Sequence, residues 1–478
     1  MLTDKLKDYA RSGVYPFHMP GHKRQPIGDL PFELDLTEID GFDYLHDPQG
    51  CIRAVECQAQ RLFEAERAFL LVNGATGGIL AAVRAMTKPN DKVIVARNCH
   101  RSVYHAIELC GLQPVYYLPD PIDGTDIYGS VNPFMLDILL SEHRDAKLVI
   151  ITSPTYEGVA SEIEWIASVC HRSGARLLVD EAHGAHFPFS DAFPKPAIQS
   201  GADVSVVSLH KTLPAPTQTA LLLTNDASME PKLQQQLAVF ETSSPSYLLM
   251  SGIESCLTYI ENHSFIEYLL LLNNFYQKAK DLQKLRLLFD PDDDSRGNML
   301  EYDIGKLVIT TYGTNLTGKA LAQLLRERYR IETEMSSAHY VIAMTSVCDT
   351  KEGFDRLFDA LKEIDSRIEY SEKEICSAMM YEAPEKRFNP CDSWRFEAQN
   401  VSLEQAAGKA AMEYIYAYPP GIPYIVPGEV ISQSMIAQIR SLIKAGVDVT
   451  STSKGLPHMI AVADWLLTNF TVYDKIYL

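Results

Sequence analysis

The chain has 478 residues, of which 46% are hydrophobic and 22% are charged, a balance typical of a large globular protein with several domains. Its net charge of −19 at pH 7 argues against a nucleic-acid partner, which needs a basic surface, and is compatible with cationic substrates. No apolar run approaches the ~20 residues of a membrane span, and nine cysteines without CxxC spacing indicate a reduced, cytoplasmic setting without a metal site.

Seven short apolar runs alternate with helical stretches from about residue 68 to 223. This alternation predicts an α/β fold in which helices cover a mainly parallel, seven-stranded sheet. The runs are AFLLV (68–72), KVIVA (92–96), PVYYL (114–118), KLVIIT (147–152), RLLVD (176–180), VSVVSL (204–209) and TALLLT (219–224).

The rest of the chain predicts smaller units around this sheet. Residues 230–290 are helical and rich in leucine, and an open β-α-β-β pattern begins at KLVITTYG (306–313). AYPPGIPYIVPGE (417–429) has too much Pro and Gly for a helix or a central strand, so we expect a rigid, extended loop. The predicted divisions are an N-terminal arm (1–45), a large α/β domain (46–290), a small α/β domain (291–370) and a C-terminal domain (371–478).

Lys211 directly follows one of the strands, at the edge where open α/β sheets bind their ligands. It is either a surface residue at a strand end or an amine kept for covalent chemistry. Shielding from water would lower its pKa and leave a neutral nucleophile for a Schiff base. The usual partner is the aldehyde of pyridoxal phosphate, which also needs a phosphate cradle, an anion opposite its pyridine nitrogen and a group stacked on its ring.

The turn NGATGG (73–78) is the candidate cradle. It leads from a strand into a helix whose positive N-terminus would present Ala75, Thr76 and Gly77 to a phosphate. Small residues let an anion approach the backbone, and the Thr76 hydroxyl can donate a hydrogen bond. An ordinary strand-to-helix turn would explain the same residues.

Asp180 is the candidate anion, because a carboxylate that closes the apolar run RLLVD is costly unless it is paired. Its alternative role is to cap the segment that follows. His100, in VIVARNCHRS, could stack on the cofactor ring and transfer protons, or could be structural. Asp180, His183 and His186 have no evident further ligand set, so we expect no metal there.

With these residues in place, the chain resembles the Orn/Lys/Arg decarboxylase family of fold type I, pyridoxal-phosphate-dependent, aminotransferase-like enzymes. It looks most like the short Gram-positive form that is labelled arginine or lysine decarboxylase. The matching stretches are FHMPGHK (17–23), DLTEIDGFDYLHDPQG (35–50), NGATGG (73–78), RNCHRS (97–102), SPTYEG (153–158), DEAHGAH (180–186), SLHKTLPA (208–215), TSSPSY (242–247) and YPPGIPYIVPGE (418–429).

The resemblance implies a role for each candidate residue. Lys211 would hold the cofactor covalently, Asp180 would pair with the ring nitrogen, and His100 would stack on the ring. The other implied contacts are Ala75, Thr76, Gly77, Ser208 and His210 at the phosphate, His183 at the cofactor's polar edge, and Ser243 at the phosphate of a neighbouring subunit. Ser243 therefore implies a homodimer or higher homo-oligomer with shared active sites.

The implied reaction is decarboxylation of a basic L-amino acid (arginine, lysine or ornithine) to CO₂ and agmatine or a diamine, as in polyamine biosynthesis. Glu38, Asp40 and Asp43 are candidates for binding the cationic side chain, although a solvated acidic loop would have the same composition. The sequence does not choose between Lys211 and His100 as the proton donor to Cα.

Two alternative functions stay open at this point. One is an aminotransferase or an aldolase on the same scaffold, and the other is a non-catalytic protein that binds pyridoxal phosphate. An aminotransferase usually holds the substrate carboxylate with an arginine of its C-terminal domain. Arg326, Arg328 and Arg330 are present, but RERYR is typical of a solvated helix end.

Overall fold

A computed structural model describes residues 13, 15–17, 43–291, 297–371, 384–417, 421–444, 447–456 and 458–463. Most of the predicted N-terminal arm, including Glu38 and Asp40, lies outside these ranges. No helix within them is both long and apolar enough to cross a membrane.

The predicted seven-stranded sheet is present, in the order β2-β9-β8-β7-β5-β3-β4. Neighbouring strands are parallel except for β9, which runs antiparallel to both β2 and β8. Each strand begins and ends within one residue of its predicted run. The first nine strands of the chain are β1 (Tyr15–Phe17), β2 (Arg67–Leu71), β3 (Lys92–Ala96), β4 (Gln113–Tyr117), β5 (Ala146–Thr152), β6 (Val159–Ala160), β7 (Arg176–Asp180), β8 (Val204–Ser208) and β9 (Ala220–Thr224).

Helices cover both faces of this sheet, which is why its strands are continuous apolar runs. Successive residues of β9 enter opposite cores, Leu221 and Leu223 on one side and Leu222 on the other. The helices of this region are α1 (Cys51–Phe63), α2 (Gly74–Met86), α3 (Arg101–Cys110), α4 (Pro133–Glu142), α5 (Ile163–Arg172), α6 (Leu209–Thr212), α7 (Glu230–Phe240), α8 (Tyr247–Asn262) and α9 (Ile266–Ala279).

A smaller α/β unit follows, as the β-α-β-β pattern predicted. Its four-stranded antiparallel sheet has the order β10-β12-β15-β14, while β11 pairs with β6 of the large unit and β13 pairs with β1. Thr317 and Thr350 cap the two helices with their hydroxyl groups. The elements are β10 (Arg286–Leu287), β11 (Glu301–Tyr302), β12 (Lys306–Thr310), α10 (Gly318–Tyr329), β13 (Ile331–Thr333), β14 (Met335–Ser336), β15 (Tyr340–Met344) and α11 (Lys351–Arg367).

The C-terminal region has its own apolar core and packs on the large unit through Tyr414, Tyr416 and Val426. The prediction of a loop over 417–429 was partly wrong, because β18 lies within it. Pro423 lacks an N–H, but β18 is an edge strand in the order β18-β17-β19, where a proline is tolerated. The elements are β16 (Ala398–Ser402), β17 (Ile415–Ala417), β18 (Ile422–Ile425), α12 (Gln433–Lys444), β19 (Val449–Ser451) and β20 (Met459–Ala463).

Candidate active site

A cavity of about 320 Å³ lies at the carboxyl ends of the parallel strands, where the sheet architecture predicts a ligand site. Side chains that are far apart in the sequence meet there because the ends of β3, β5, β7 and β8 share one edge of the sheet. The predicted site residues that line it are Ala75, Thr76, His100, Asp180, His183, Ser208, His210 and Lys211.

Lys211 lies on the short helix α6, immediately after β8, and its Nζ is 3.0 Å from Nε2 of His183. Burial lowers the pKa of this amine, while the negative charges of Asp180 and Glu334 oppose the shift. A lysine with a lowered pKa keeps more of its amine neutral, which is the form that attacks a carbonyl. The geometry therefore favours a nucleophile over a surface lysine.

Asp180 ends β7 and is 3% exposed. Burial raises the pKa of its carboxyl, and the charge of Lys211 works in the opposite direction. Within the described part of the chain, its carboxylate accepts one hydrogen bond, 3.2 Å from the N–H of Ala182. This acid lies in the cavity wall with capacity left for a cationic N–H donor.

Three histidines line the cavity, and two of them, His100 and His183, are neutral at physiological pH. Burial, helped by the charge of Lys211, lowers the pKa of His100 to about 3 and that of His183 well below its ordinary value. His100 also caps helix α3, since its Nδ1 accepts the N–H of Ser102. Nδ1 of His183 is buried without a hydrogen-bond partner among the described residues, so a polar group of a ligand could satisfy it.

The predicted phosphate cradle begins helix α2, whose first residue, Gly74, has φ +70°. Gly74, Ala75 and Thr76 line the cavity, and the N–H groups of this first turn have no partner within the helix. Gly77 does not line the cavity. A Cβ at Gly77 would lie 2.8 Å from Oε1 of Glu241, so close packing against this acid explains the glycine.

His210 and Ser208 also line the cavity. The side chain of His210 is oriented by a 2.9 Å contact between its Nδ1 and the carbonyl oxygen of Thr219. Burial lowers the pKa of His210 to about 4. The ring is therefore neutral, with its proton on Nδ1 donated to the carbonyl oxygen of Thr219, so its Nε2 is a hydrogen-bond acceptor.

Asp43 does not line the cavity, and its carboxylate has a structural role. Its two carboxylate oxygens accept N–H groups at the start of helix α1, from Gln49, Gly50, Ile52 and Arg53. Partial burial opposes the shift, but these donors lower the pKa of Asp43. Its carboxylate is thus occupied as a helix cap, and nothing in this geometry supports the predicted contact with substrate.

Ser243 does not line the cavity of its own chain and is exposed. The arginines considered for an aminotransferase also lie elsewhere. Arg326 pairs with Glu332, and Arg328 pairs with Glu363, both at the surface.

Several cavity residues were missed by the sequence analysis: Asn98, Arg101, Tyr128, Tyr156 and Glu157. Tyr156 contacts the ring of His183 with a centroid distance of 4.5 Å, and its hydroxyl donates to Glu334. The available signal was SPTYEG (153–158), a polar stretch directly after a strand, which was matched without assigning its side chains a role.

Comparison with known proteins agrees with this geometry. Residues 1–287 match the model of the Orn/Lys/Arg decarboxylase major domain, and residues 373–449 match that of the Orn/Lys/Arg decarboxylase C-terminal domain. The chain belongs to the Orn/Lys/Arg decarboxylase family. The predicted family and the predicted enzyme class, a decarboxylase, are thereby confirmed.

Two proteins named arginine decarboxylase resemble this family member over most of its length. That of Bacillus subtilis (strain 168) is 32% identical and covers 96% of this chain and 97% of its own. That of Halalkalibacterium halodurans is also 32% identical and covers 92% and 93%. The solved constitutive lysine decarboxylase of Escherichia coli superposes with a TM-score of 0.76 at 17% identity, over 97% of this chain and 81% of its own. At that identity the superposition supports the fold class alone, and it confirms the predicted one.

Proposed function

We propose that this decarboxylase uses pyridoxal phosphate to remove the α-carboxylate of a basic L-amino acid, with arginine as the first substrate to test. The relatives at 32% identity carry the name arginine decarboxylase, which supports that choice. The observation that carries the proposal is a shielded amine on Lys211 that shares one cavity with the buried carboxylate of Asp180. Lysine and ornithine are the alternative substrates.

The residues of the cavity fit this cofactor. The N–H of Gly74 donates to the carbonyl oxygen of Gln218 at 2.9 Å, but the N–H groups of Ala75 and Thr76 at the start of helix α2, together with the Thr76 hydroxyl, suit a phosphate. Asp180 can accept a hydrogen bond from a pyridinium nitrogen, and His183 has a buried, unpartnered Nδ1 for a further polar group. The phosphate, the ring nitrogen and a further polar group of the cofactor thus each have a complementary group in the cavity lining.

When bound, pyridoxal phosphate supplies an aldehyde that condenses with amines and a ring that accepts the electron pair left by departing CO₂. Lys211 provides the neutral amine for attachment, and His183, 3.0 Å away, can exchange a proton with it. Asp180, as a carboxylate, keeps a proton on the ring nitrogen. The proton that replaces CO₂ at Cα comes from Lys211 or His100, which both line the cavity.

The test is a panel of arginine, lysine and ornithine with the purified, cofactor-loaded protein. CO₂ and the matching amine should form from at least one of them. Formation of a keto acid in place of CO₂ would support transamination, and no turnover with any of the three would contradict the proposal.

Lys211→Ala should lose the visible absorbance of the bound cofactor together with turnover, because no other residue is assigned to covalent attachment. Lys195→Ala is the matched control, since its side chain is 55% exposed near Glu164 and does not line the cavity. A Lys211→Ala protein with full turnover would refute the assignment.

We further propose that the enzyme acts in polyamine biosynthesis in the cytoplasm, as a homodimer in which Ser243 reaches the neighbouring site. The exposure of Ser243 on one chain leaves it free for such a contact. Sedimentation analysis should give at least twice the mass of one chain. A monomer with full turnover would argue against shared sites.

A further inference from the structure

One wall of the cavity carries an acid that the reaction described above does not use. Glu157 lies in the loop after β5, next to Tyr156, and lines the cavity. The contacts run from Nζ of Lys211 to His183 at 3.0 Å, and from the ring of His183 to that of Tyr156 at 4.5 Å. Lys211, His183, Tyr156 and Glu157 thus line the same cavity.

Glu157 is held in place by the small α/β unit. The hydroxyl of Tyr340, on β15, donates to its Oε1 at 2.8 Å. Burial raises the pKa of Glu157, and the nearby charge of Asp126 raises it further. The carboxyl thus lacks a stabilising positive charge, and a cationic ligand would supply one.

Asp126, whose charge acts on Glu157 although it does not line the cavity, supports the same conclusion. It is 8% exposed, its Oδ1 accepts the hydroxyl of Tyr312, and its N–H donates to that hydroxyl at 2.9 Å. Its Oδ2 is buried without a hydrogen-bond partner among the described residues. In the described part of the chain, no lysine, arginine or histidine forms an ion pair with Glu157 or Asp126. A buried and a half-buried acid side by side are unfavourable as anions without a cation, and a cationic ligand would supply that charge.

We propose that Glu157 binds the cationic end of the substrate side chain and so determines the preference for basic amino acids, with Asp126 and Tyr340 as positioning residues. This inference rests on the proposed function. It also replaces the predicted role of Asp43, whose carboxylate caps helix α1. A basic amino acid needs a carboxylate for its distal cation, and among the described residues that line the cavity Glu157 is the acid other than Asp180.

Glu157→Gln tests the charge with little change of shape, because the amide oxygen can still accept the Tyr340 hydroxyl. The measurement compares arginine with citrulline, its neutral isostere, and lysine with norleucine. In the cofactor-loaded variant, we expect KM for the basic substrate to rise roughly 10- to 100-fold while kcat changes less. Inhibition by the amine product should weaken by a similar factor, which reports binding without turnover.

Two further variants separate charge from position. Tyr340→Phe removes the hydrogen bond but leaves the carboxylate, so the rise in KM should be smaller than in Glu157→Gln. Glu164→Gln removes an equal charge from a carboxylate that is 80% exposed on helix α5. It should leave the preference for arginine over citrulline and for lysine over norleucine unchanged.

The outcomes distinguish this inference from the proposed function. If the native protein decarboxylates no basic amino acid, the proposed function fails whatever Glu157→Gln does. If the native protein is active and Glu157→Gln keeps its KM, its product inhibition and its arginine-to-citrulline ratio, the role of Glu157 is overturned. A loss of cofactor absorbance or an equal loss for charged and neutral substrates also overturns it, because the residue would then be structural.

Discussion

Arg97 and His100 are three residues apart after strand β3, yet one belongs to a structural ion pair and the other to the candidate active site. Arg97 is buried, and all five of its N–H groups have acceptors. Its partners are the carboxylate of Glu429, the hydroxyl of Tyr104, and the carbonyl oxygens of Pro423 and Tyr424. This pair fastens the C-terminal region to the large sheet.

The cavity three residues away shows the opposite arrangement. Asp180 accepts a single hydrogen bond from the described residues, and Nδ1 of His183 accepts or donates none there. Both groups are buried at a cost that the protein alone does not offset. We infer that Arg97, whose N–H groups all have acceptors, is structural. Asp180 and His183 instead have hydrogen-bonding capacity left for a ligand.

Removing one partner of the ion pair between Arg97 and Glu429 should have the largest effect on stability. Arg97→Met leaves the carboxylate of Glu429 buried at 0% exposure without its cation, so the free energy of unfolding should fall by about 3–5 kcal/mol. Urea denaturation monitored by fluorescence measures it. Adding Glu429→Leu should restore much of the loss, because the orphaned charge is then gone. An unchanged unfolding midpoint in Arg97→Met would show that the ion pair between Arg97 and Glu429 does not stabilise the fold.

Neutralising Asp180, which has only one hydrogen bond from the described residues, should lower activity without lowering stability. Asp180→Asn keeps an oxygen for the N–H of Ala182 but cannot hold a proton on a ring nitrogen, so kcat should fall roughly 100- to 1000-fold. The free energy of unfolding should stay equal or rise, since a buried charge is lost. Steady-state kinetics and urea denaturation of the same sample check both expectations.

Asp365→Asn is the matched control for that variant. Asp365 is buried in helix α11 and accepts the N–H groups of Gln283, Lys284 and Leu285 at 2.7–3.0 Å. The asparagine oxygen can still accept from Lys284 and Leu285, but its NH2 group would face the N–H of Gln283, so stability should fall while kcat persists. If Asp180→Asn destabilised the protein as Asp365→Asn does, Asp180 would be a structural acid.

The sheet and several of the residues that line the cavity could be predicted because their signals are local. Each strand is a continuous apolar run, and the chemistry follows at its carboxyl end, so Asp180 and Lys211 could be placed on one edge without coordinates. The predicted contact of Asp43 with substrate has no support in the structure, because the role of Asp43 is not set by a local signal. Its role depends on N–H groups up to ten residues away, which composition does not reveal.

The surroundings of Glu157 and Asp126 could not be predicted, because their hydrogen-bond partners come from the small α/β unit. Glu157 follows a sheet strand, but Tyr340, which positions it, comes from β15 and is 183 residues away in the sequence. Asp126 and Tyr312 meet over a separation of 186 residues. No periodicity or spacing links such pairs, so their contact depends on how the small unit packs on the large one.

The smallest effect on activity is expected for Glu181, a buried acid next to Asp180 whose carboxylate, like that of Glu429, has hydrogen-bond partners in the protein. Ser205 and the N–H of Ala197 donate to it, yet burial raises its pKa from 4.5 to about 8. The folded state therefore keeps a proton that the unfolded state releases between these values, so stability falls as pH rises from about 4.5 to about 8. Glu181→Gln should remove this slope, a change on the order of a few kcal/mol at most, with little change in kcat. Denaturation of both proteins at pH 5, 6, 7 and 8 measures the difference, and parallel curves would show that Glu181 is ionised in the folded protein.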